Sequence, residues 1–169
     1  MNTRNGNIQT PLGVELKKVK IAKYLSEETT AFSAQLWVNG EYIADVSNDG
    51  HGGNNRINHL YNDKGLNTRP KVVAFEKWCK EQPPYQGDDG DGFCDPLPMD
   101  ADFYISLMVD DYEEQQQIKR WCKTKTVIQL KSDAKGTFRT YKRPYDSAFA
   151  DWIRRKEPEL VEILNERFI

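Results

Sequence analysis

Apolar and polar residues alternate in the first third of the chain and recur at helical spacing later. Residues 14–24 mix β-branched side chains with lysines, and their alternation changes phase at Lys17 and Lys18. This predicts a strand with a bulge, and lysines of this kind suit a sheet edge because they discourage pairing with another chain. Two further strand-like runs, within 32–46, flank Asn39 and Gly40. Asn-Gly readily takes the positive φ values of a type I′ turn, so a hairpin is predicted. A two-residue turn sets Val38 opposite Glu41, Trp37 opposite Tyr42 and Leu36 opposite Ile43. One side then carries Leu36, Val38 and Ile43, and the other carries Trp37, Tyr42 and Val46. With both sides apolar, the hairpin belongs in the middle of its sheet.

Arg56 to Tyr61 reads as a short strand or helical turn. Pro70 opens a helix running to about Glu81, with Val72, Phe75, Trp78 and Cys79 facing inward and Pro83 and Pro84 ending it. Asp100 can cap a longer helix over 102–123, whose apolar positions include Ile105, Met108, Val109, Tyr112, Ile118, Trp121 and Cys122. Residues 126–130 and 137–141 form a second predicted hairpin. A last helix begins near Asp146 or Ser147, buries Phe149, Trp152 and Ile153, breaks at Pro158 and resumes with Leu160, Val161, Ile163, Leu164 and Phe168.

These elements predict an α+β fold, in which an antiparallel sheet built from two β-hairpins and an N-terminal strand packs against three to four helices. A chain of 169 residues is long enough to bury one substantial core. The expected organisation is a flexible N-terminus over 1–12 and a single domain over 13–169, with an exposed acidic loop at 85–98. That loop contains Gln-Gly-Asp-Asp-Gly-Asp-Gly, which has nothing apolar to bury. No apolar run is long enough to span a membrane, and 1–12 is polar where a signal peptide would be apolar, so the expected location is cytoplasmic. Cys79, Cys94 and Cys122 are odd in number and far apart, which suits free thiols in a reducing compartment.

A net charge of −2 conceals a strong segregation. Residues 81–116 carry eleven acidic side chains and no Lys or Arg, whereas 117–156 carry twelve basic and three acidic ones. Blocks of this kind either form interaction surfaces or neutralise one another on folding.

Candidate chemistry concentrates in one loop. Gly50, Gly52 and Gly53 let the backbone turn tightly and approach a ligand closely. Successive N–H groups there can form an anion nest, to which Asn48, Asn54, Asn55 and Arg56 would add donors for a phosphate or carboxylate. With Asp49 and His51 between them, 48–56 is the expected ligand-binding segment. It matches neither phosphate-loop motif, Gly-x-x-x-x-Gly-Lys-Ser/Thr or Gly-x-Gly-x-x-Gly. The competing reading is a hairpin connector whose side chains bond the local backbone.

Asp49, His51 and His59 could alternatively serve a metal-dependent hydrolase, although their spacing matches no metal motif. Asp88, Asp89, Asp91 and Asp95 lack the EF-hand pattern, since Gly87 and Pro98 fall where its first and last ligands belong. No metal or other cofactor is called for. The basic 119–155 region, interleaved with Phe138, Tyr141 and Tyr145, suits a nucleic-acid backbone and its bases, while the acidic composition of the whole chain speaks against it.

The stretch Phe32-Ser-Ala-Gln-Leu-Trp-Val-Asn-Gly-Glu-Tyr-Ile-Ala-Asp-Val-Ser-Asn-Asp-Gly-His-Gly-Gly-Asn resembles uncharacterised small proteins of bacteriophages, plasmids and bacterial genomes. These share a hairpin followed by an Asn-Asp-Gly-x-Gly-Gly loop. Trp121-Cys-Lys-Thr-Lys-Thr-Val-Ile-Gln-Leu-Lys is a second point of similarity. The resemblance implies a mobile-element setting and no particular reaction. The leading expectation is therefore a non-enzymatic binding protein of a phage or other mobile element. It would sequester a small anionic, nucleotide-like ligand or inhibit a host defence protein. A phosphodiesterase or nuclease using Asp49, His51 and His59 is the first alternative, and nucleic-acid binding through 119–155 is the second.

Overall fold

A computed structural model describes residues 13–86, 95–134 and 136–169. The expected flexible segment 1–12 and the centre of the acidic loop, 87–94 with Asp88, Asp89, Asp91 and Cys94, lie outside the described residues. The chain is α+β and divides into two compact units, Met1–Asp110 and Asp111–Ile169.

The first unit holds a four-stranded antiparallel sheet in the order β1 (Val14–Ile21), β2 (Phe32–Val38), β3 (Glu41–Asn48) and β4 (Arg56–His59). The predicted edge strand is at the edge. Its bulge falls between Lys17 and Lys20, where Lys18 has φ 52°. The predicted central hairpin is central, and Asn39 and Gly40 have φ 52° and 79°, as a type I′ turn requires.

Its register differs from the expectation two pairs beyond the turn. Val38 pairs with Glu41 and Trp37 with Tyr42, but Leu36 pairs with Ala44, because a bulge leaves Ile43 without a partner of its own. The extra residue turns Val46 onto the side of Leu36 and Ala34, away from Trp37 and Tyr42. Ile43, Ala44 and Val46 are all buried. Burying three apolar residues in place of two compensates for the interrupted ladder.

Against this face pack α1 (Arg69–Lys80) and the part of α2 (Ala101–Cys122) that belongs to this unit. Val72, Phe75 and Cys79 are the buried residues of α1, and Tyr104, Ile105 and Val109 continue the core from α2. Phe75, Trp78 and Tyr104 meet as an aromatic cluster. Burial raises the Cys79 thiol to about 12, aided by Asp100 and Glu76, so it is a core residue and not a nucleophile. Asp100 caps α2 as expected, accepting the Phe103 N–H at 2.8 Å. At the base of the acidic loop, Tyr85 and Leu97 exchange backbone hydrogen bonds of 2.8 and 2.9 Å.

In the second unit the second hairpin, β5 (Thr126–Leu130) and β6 (Arg139–Tyr141), builds a sheet of its own. Its third strand is β7 (Leu160–Ile163), followed by a 3-10 turn over Leu164–Phe168. The segment after Pro158 was expected to resume as a helix and instead pairs with β5. Local spacing favours a helix there. The free edge of the buried strand β5 offers backbone partners that a helix cannot use, and in the extended form Ile163 pairs with Ile128 and joins the buried cluster that holds Ile153. Buried Asn165 fastens the arrangement: its Oδ1 accepts from Val127 N at 2.8 Å and its Nδ2 donates to the Lys125 and Cys122 carbonyls. On the other side α3 (Ser147–Lys156) is capped by Asp146 and buries Phe149, Ala150 and Ile153. Among the described residues no helix is long and apolar enough to cross a membrane.

The hairpin geometry gives a direct test. Open space surrounds a Cβ built on Gly40, so Gly40→Val carries only the backbone cost of a β-branched residue at positive φ. A loss of about 1–2 kcal/mol in urea unfolding is expected. An unchanged midpoint would mean that the turn has another conformation.

Candidate functional site

The loop between β3 and β4 begins where Asn48 points its amide inward. Asn48 Oδ1 accepts from Thr29 Oγ1 at 2.7 Å and from Gly50 N at 2.9 Å. Its Nδ2 donates to the Gly53 carbonyl at 3.2 Å and to Asn55 Oδ1 at 3.1 Å. One buried amide therefore holds both ends of the loop and the neighbouring segment 26–30. Gly50, Gly52 and Gly53 have φ 90°, 84° and 89°, so each glycine takes a backbone conformation that side chains resist.

A backbone nest is present at this end of the sheet, but it lies opposite the glycines. The N–H groups of Glu27, Glu28 and Thr29 converge on the Gly50 carbonyl oxygen at 3.0, 3.0 and 3.3 Å. The partial negative charge they gather around belongs to the protein itself. Of the glycine-loop amides, Gly50 N donates to Asn48, Gly52 N donates to Thr29 Oγ1 at 3.3 Å, and His51 N faces Asp49 Oδ1 at 3.5 Å.

Side chains follow the same pattern. Asn55 binds the start of α2, with its N–H on Asp102 Oδ1 at 2.6 Å and its Nδ2 on the Asp102 carbonyl and Ser106 Oγ. Arg56 donates to Asp49 Oδ2 at 2.6 Å, and His51 Nδ1 lies 3.2 Å from Glu27 Oε2. Asn54 is exposed. The nine residues expected at the ligand site are thus together, but Asn48 and Asn55 act as internal ties and Arg56 has an internal counter-charge. Glu27, Glu28 and Asp49 give the neighbourhood an acidic fringe.

Asp49, His51 and His59 do not converge. His59 is at the far end of β4, paired with Ala44, whereas Arg56 pairs with Ser47 beside the loop. Three residues of strand separate them, roughly 10 Å. Among the described residues no group of three His, Cys, Asp or Glu side chains could hold a metal ion.

Sequence reasoning missed segment 23–31, which supplies the other half of this end of the sheet. Its signals were the polar run Ser26-Glu27-Glu28-Thr29-Thr30 and the small Ala31 after it. Just before that run a 3-10 turn, Lys23–Leu25, presents Tyr24 and Leu25, which are 87% and 43% exposed. Comparison with protein-family models, curated proteins and solved structures finds no match for this chain.

The two loops touch most closely at Gly50, where a Cβ would stand 2.1 Å from the Leu25 carbonyl oxygen and 2.9 Å from Ala31 Cβ. Around Gly53, at nearly the same φ, there is open space. Gly50→Ala should destabilise the fold by on the order of 3 kcal/mol, and Gly53→Ala by about 1 kcal/mol. Equal losses in chemical denaturation would mean that the loops are not docked.

Proposed function

We propose that this chain is a non-enzymatic binding protein that acts by docking on another protein through the paired loops 23–30 and 48–55. The observation that carries this reading is the display of Tyr24 and Leu25 on a framework locked by Asn48, Thr29 and Gly50. Large apolar side chains held out on a rigid support lose little entropy when bound, and an aromatic residue is a frequent interface anchor. Glu27, Glu28 and His51 would form the polar rim around that anchor.

Of the two forms of binding expected from the sequence, contact with a protein has more support than capture of a small anion. An anion would have to displace the Gly50 carbonyl or the Asp49 carboxylate from partners they already hold. Hydrolysis through Asp49, His51 and His59 would need those side chains around one ion, and β4 separates them. The resemblance to proteins of mobile elements supplies the setting: a host protein, such as a defence protein, met in the cytoplasm.

Placing a photo-crosslinking benzophenone residue at position 24 in expressing cells should yield a discrete protein adduct that Leu25→Asp removes. The same group at exposed Val73 on α1 should not yield it. Once the partner is isolated, Tyr24→Ala should weaken the complex by about thirtyfold, the effect of losing a central aromatic anchor. Equal adducts from both positions would count against the reading. So would amide shifts at 50–53 on adding millimolar nucleotide, which would restore the small-anion form.

A further inference from the structure

The overall acidity of the chain belongs to its first unit. Met1–Asp110 carries eleven basic and sixteen acidic side chains, −5, whereas Asp111–Ile169 carries thirteen and ten, +3. The argument from composition against nucleic-acid binding therefore does not apply to the second unit taken by itself.

Arginines and lysines of the second unit divide sharply. Arg139 pairs with Asp133, Arg143 with Asp146, Arg154 with Asp151 and Glu166, and Arg167 with Glu162. Among the described residues no ion pair engages Lys125, Lys142, Arg155 or Lys156. Tyr141 pairs with Thr126, so Lys142 and Lys125, the next residues outward, bring like charges to the same end of the β5 and β6 pair. Like charges on neighbouring strands are destabilising unless an anion comes between them.

Beside this edge is an aromatic stack. The Phe149 and Trp152 rings lie 5.3 Å apart and 14° from parallel, and Tyr141 meets both edge-on. Trp152 is 40% exposed, and the Lys156 ammonium sits 4.5 Å from its ring centre. The Arg143 guanidinium sits 4.4 Å from the Phe149 ring centre. The acidic groups close by already have partners: Asp146 on Arg143, Asp151 on Arg154, and Glu157 accepting the Tyr141 hydroxyl at 2.7 Å.

We propose that the face formed by β6 and α3 binds single-stranded nucleic acid, with a base stacking on Trp152 and Lys142, Lys156 and Arg155 following the phosphates. Lys156 is a flexible side chain, and a base can take its place over the indole while the ammonium moves to a phosphate. An exposed ring with a cationic rim suits unstacked bases, whereas a duplex keeps its bases out of reach of such a platform. This surface lies outside the loops of the first unit, so it stands or falls independently of the protein-docking reading.

The test is fluorescence anisotropy of a labelled oligothymidine of about fifteen nucleotides with the full chain, the length matching a single-strand site. Binding should be detectable at low salt and weaken as salt rises. Trp152→Ala should weaken it by about tenfold or more, and Trp152→Phe should restore most of the loss. Lys142→Gln with Lys156→Gln should reduce the slope of log affinity against log salt by about 1.4, the share of two single-strand phosphates. Both lysines are exposed, so this pair keeps the test valid if Trp152→Ala proves unstable by circular dichroism. Absence of binding at low salt, a salt slope unchanged in the lysine pair, or equal affinity for a duplex would overturn the proposal. Binding to phosphatidylserine vesicles without any to the oligonucleotide would overturn it in favour of a membrane surface.

Discussion

The loop end of the first sheet depends on one buried amide. Asn48 has two acceptor positions and two donor hydrogens, and all four are engaged, by Thr29, Gly50, Gly53 and Asn55. Without that amide four groups in a part-buried place would lose their partner, and unmade buried hydrogen bonds cost more than made ones contribute. Every local feature follows from this arrangement. The glycines are needed because the chain must turn three times within reach of Asn48, and Gly50 because the neighbouring loop arrives so close. The exposed Tyr24 and Leu25 stand in the turn just before the segment that Thr29 ties to Asn48.

What the sequence made legible was whatever depends on near neighbours. The Asn39-Gly40 turn, the bulge at the lysines of β1, the caps at Asp100 and Asp146 and the helices α1, α2 and α3 follow from residues a few positions apart. The errors arose where distant partners decide. Ile43 slipped out of register because the core could bury it as well as Ala44. Residues 160–163 became a strand because β5 had an open edge. The same limit applied to the site. Its glycines and asparagines suit a tightly turned loop under either reading, but whether its donors face a ligand or the protein depends on residues 25–31 and on Asp102 and Ser106. No spacing rule connects those positions, and a filled nest has the same sequence as an empty one.

Charge shows the same division between what folding uses and what it leaves. Of the basic block 117–156, Arg139, Arg143 and Arg154 match its three acidic residues one for one. Planar guanidinium groups hold carboxylates in fixed geometry, so arginine is the expected choice for ties that shape a turn or a cap. Lys119 and Arg120 lie in the last turn of α2, and Lys156 in that of α3, where positive charge complements the helix dipole. Arg155 shares the last turn of α3; among the described residues Lys123, Lys125, Lys131 and Lys142 then remain, and Lys125 and Lys142 lie opposite each other just beyond one end of the β5 and β6 pair, where like charges repel. Local conflicts with stability are where function is expected to sit. By that criterion the second unit, whose motifs were the weaker in the sequence, has the stronger claim to a charged ligand, and the glycine-rich loop has the claim to a shape.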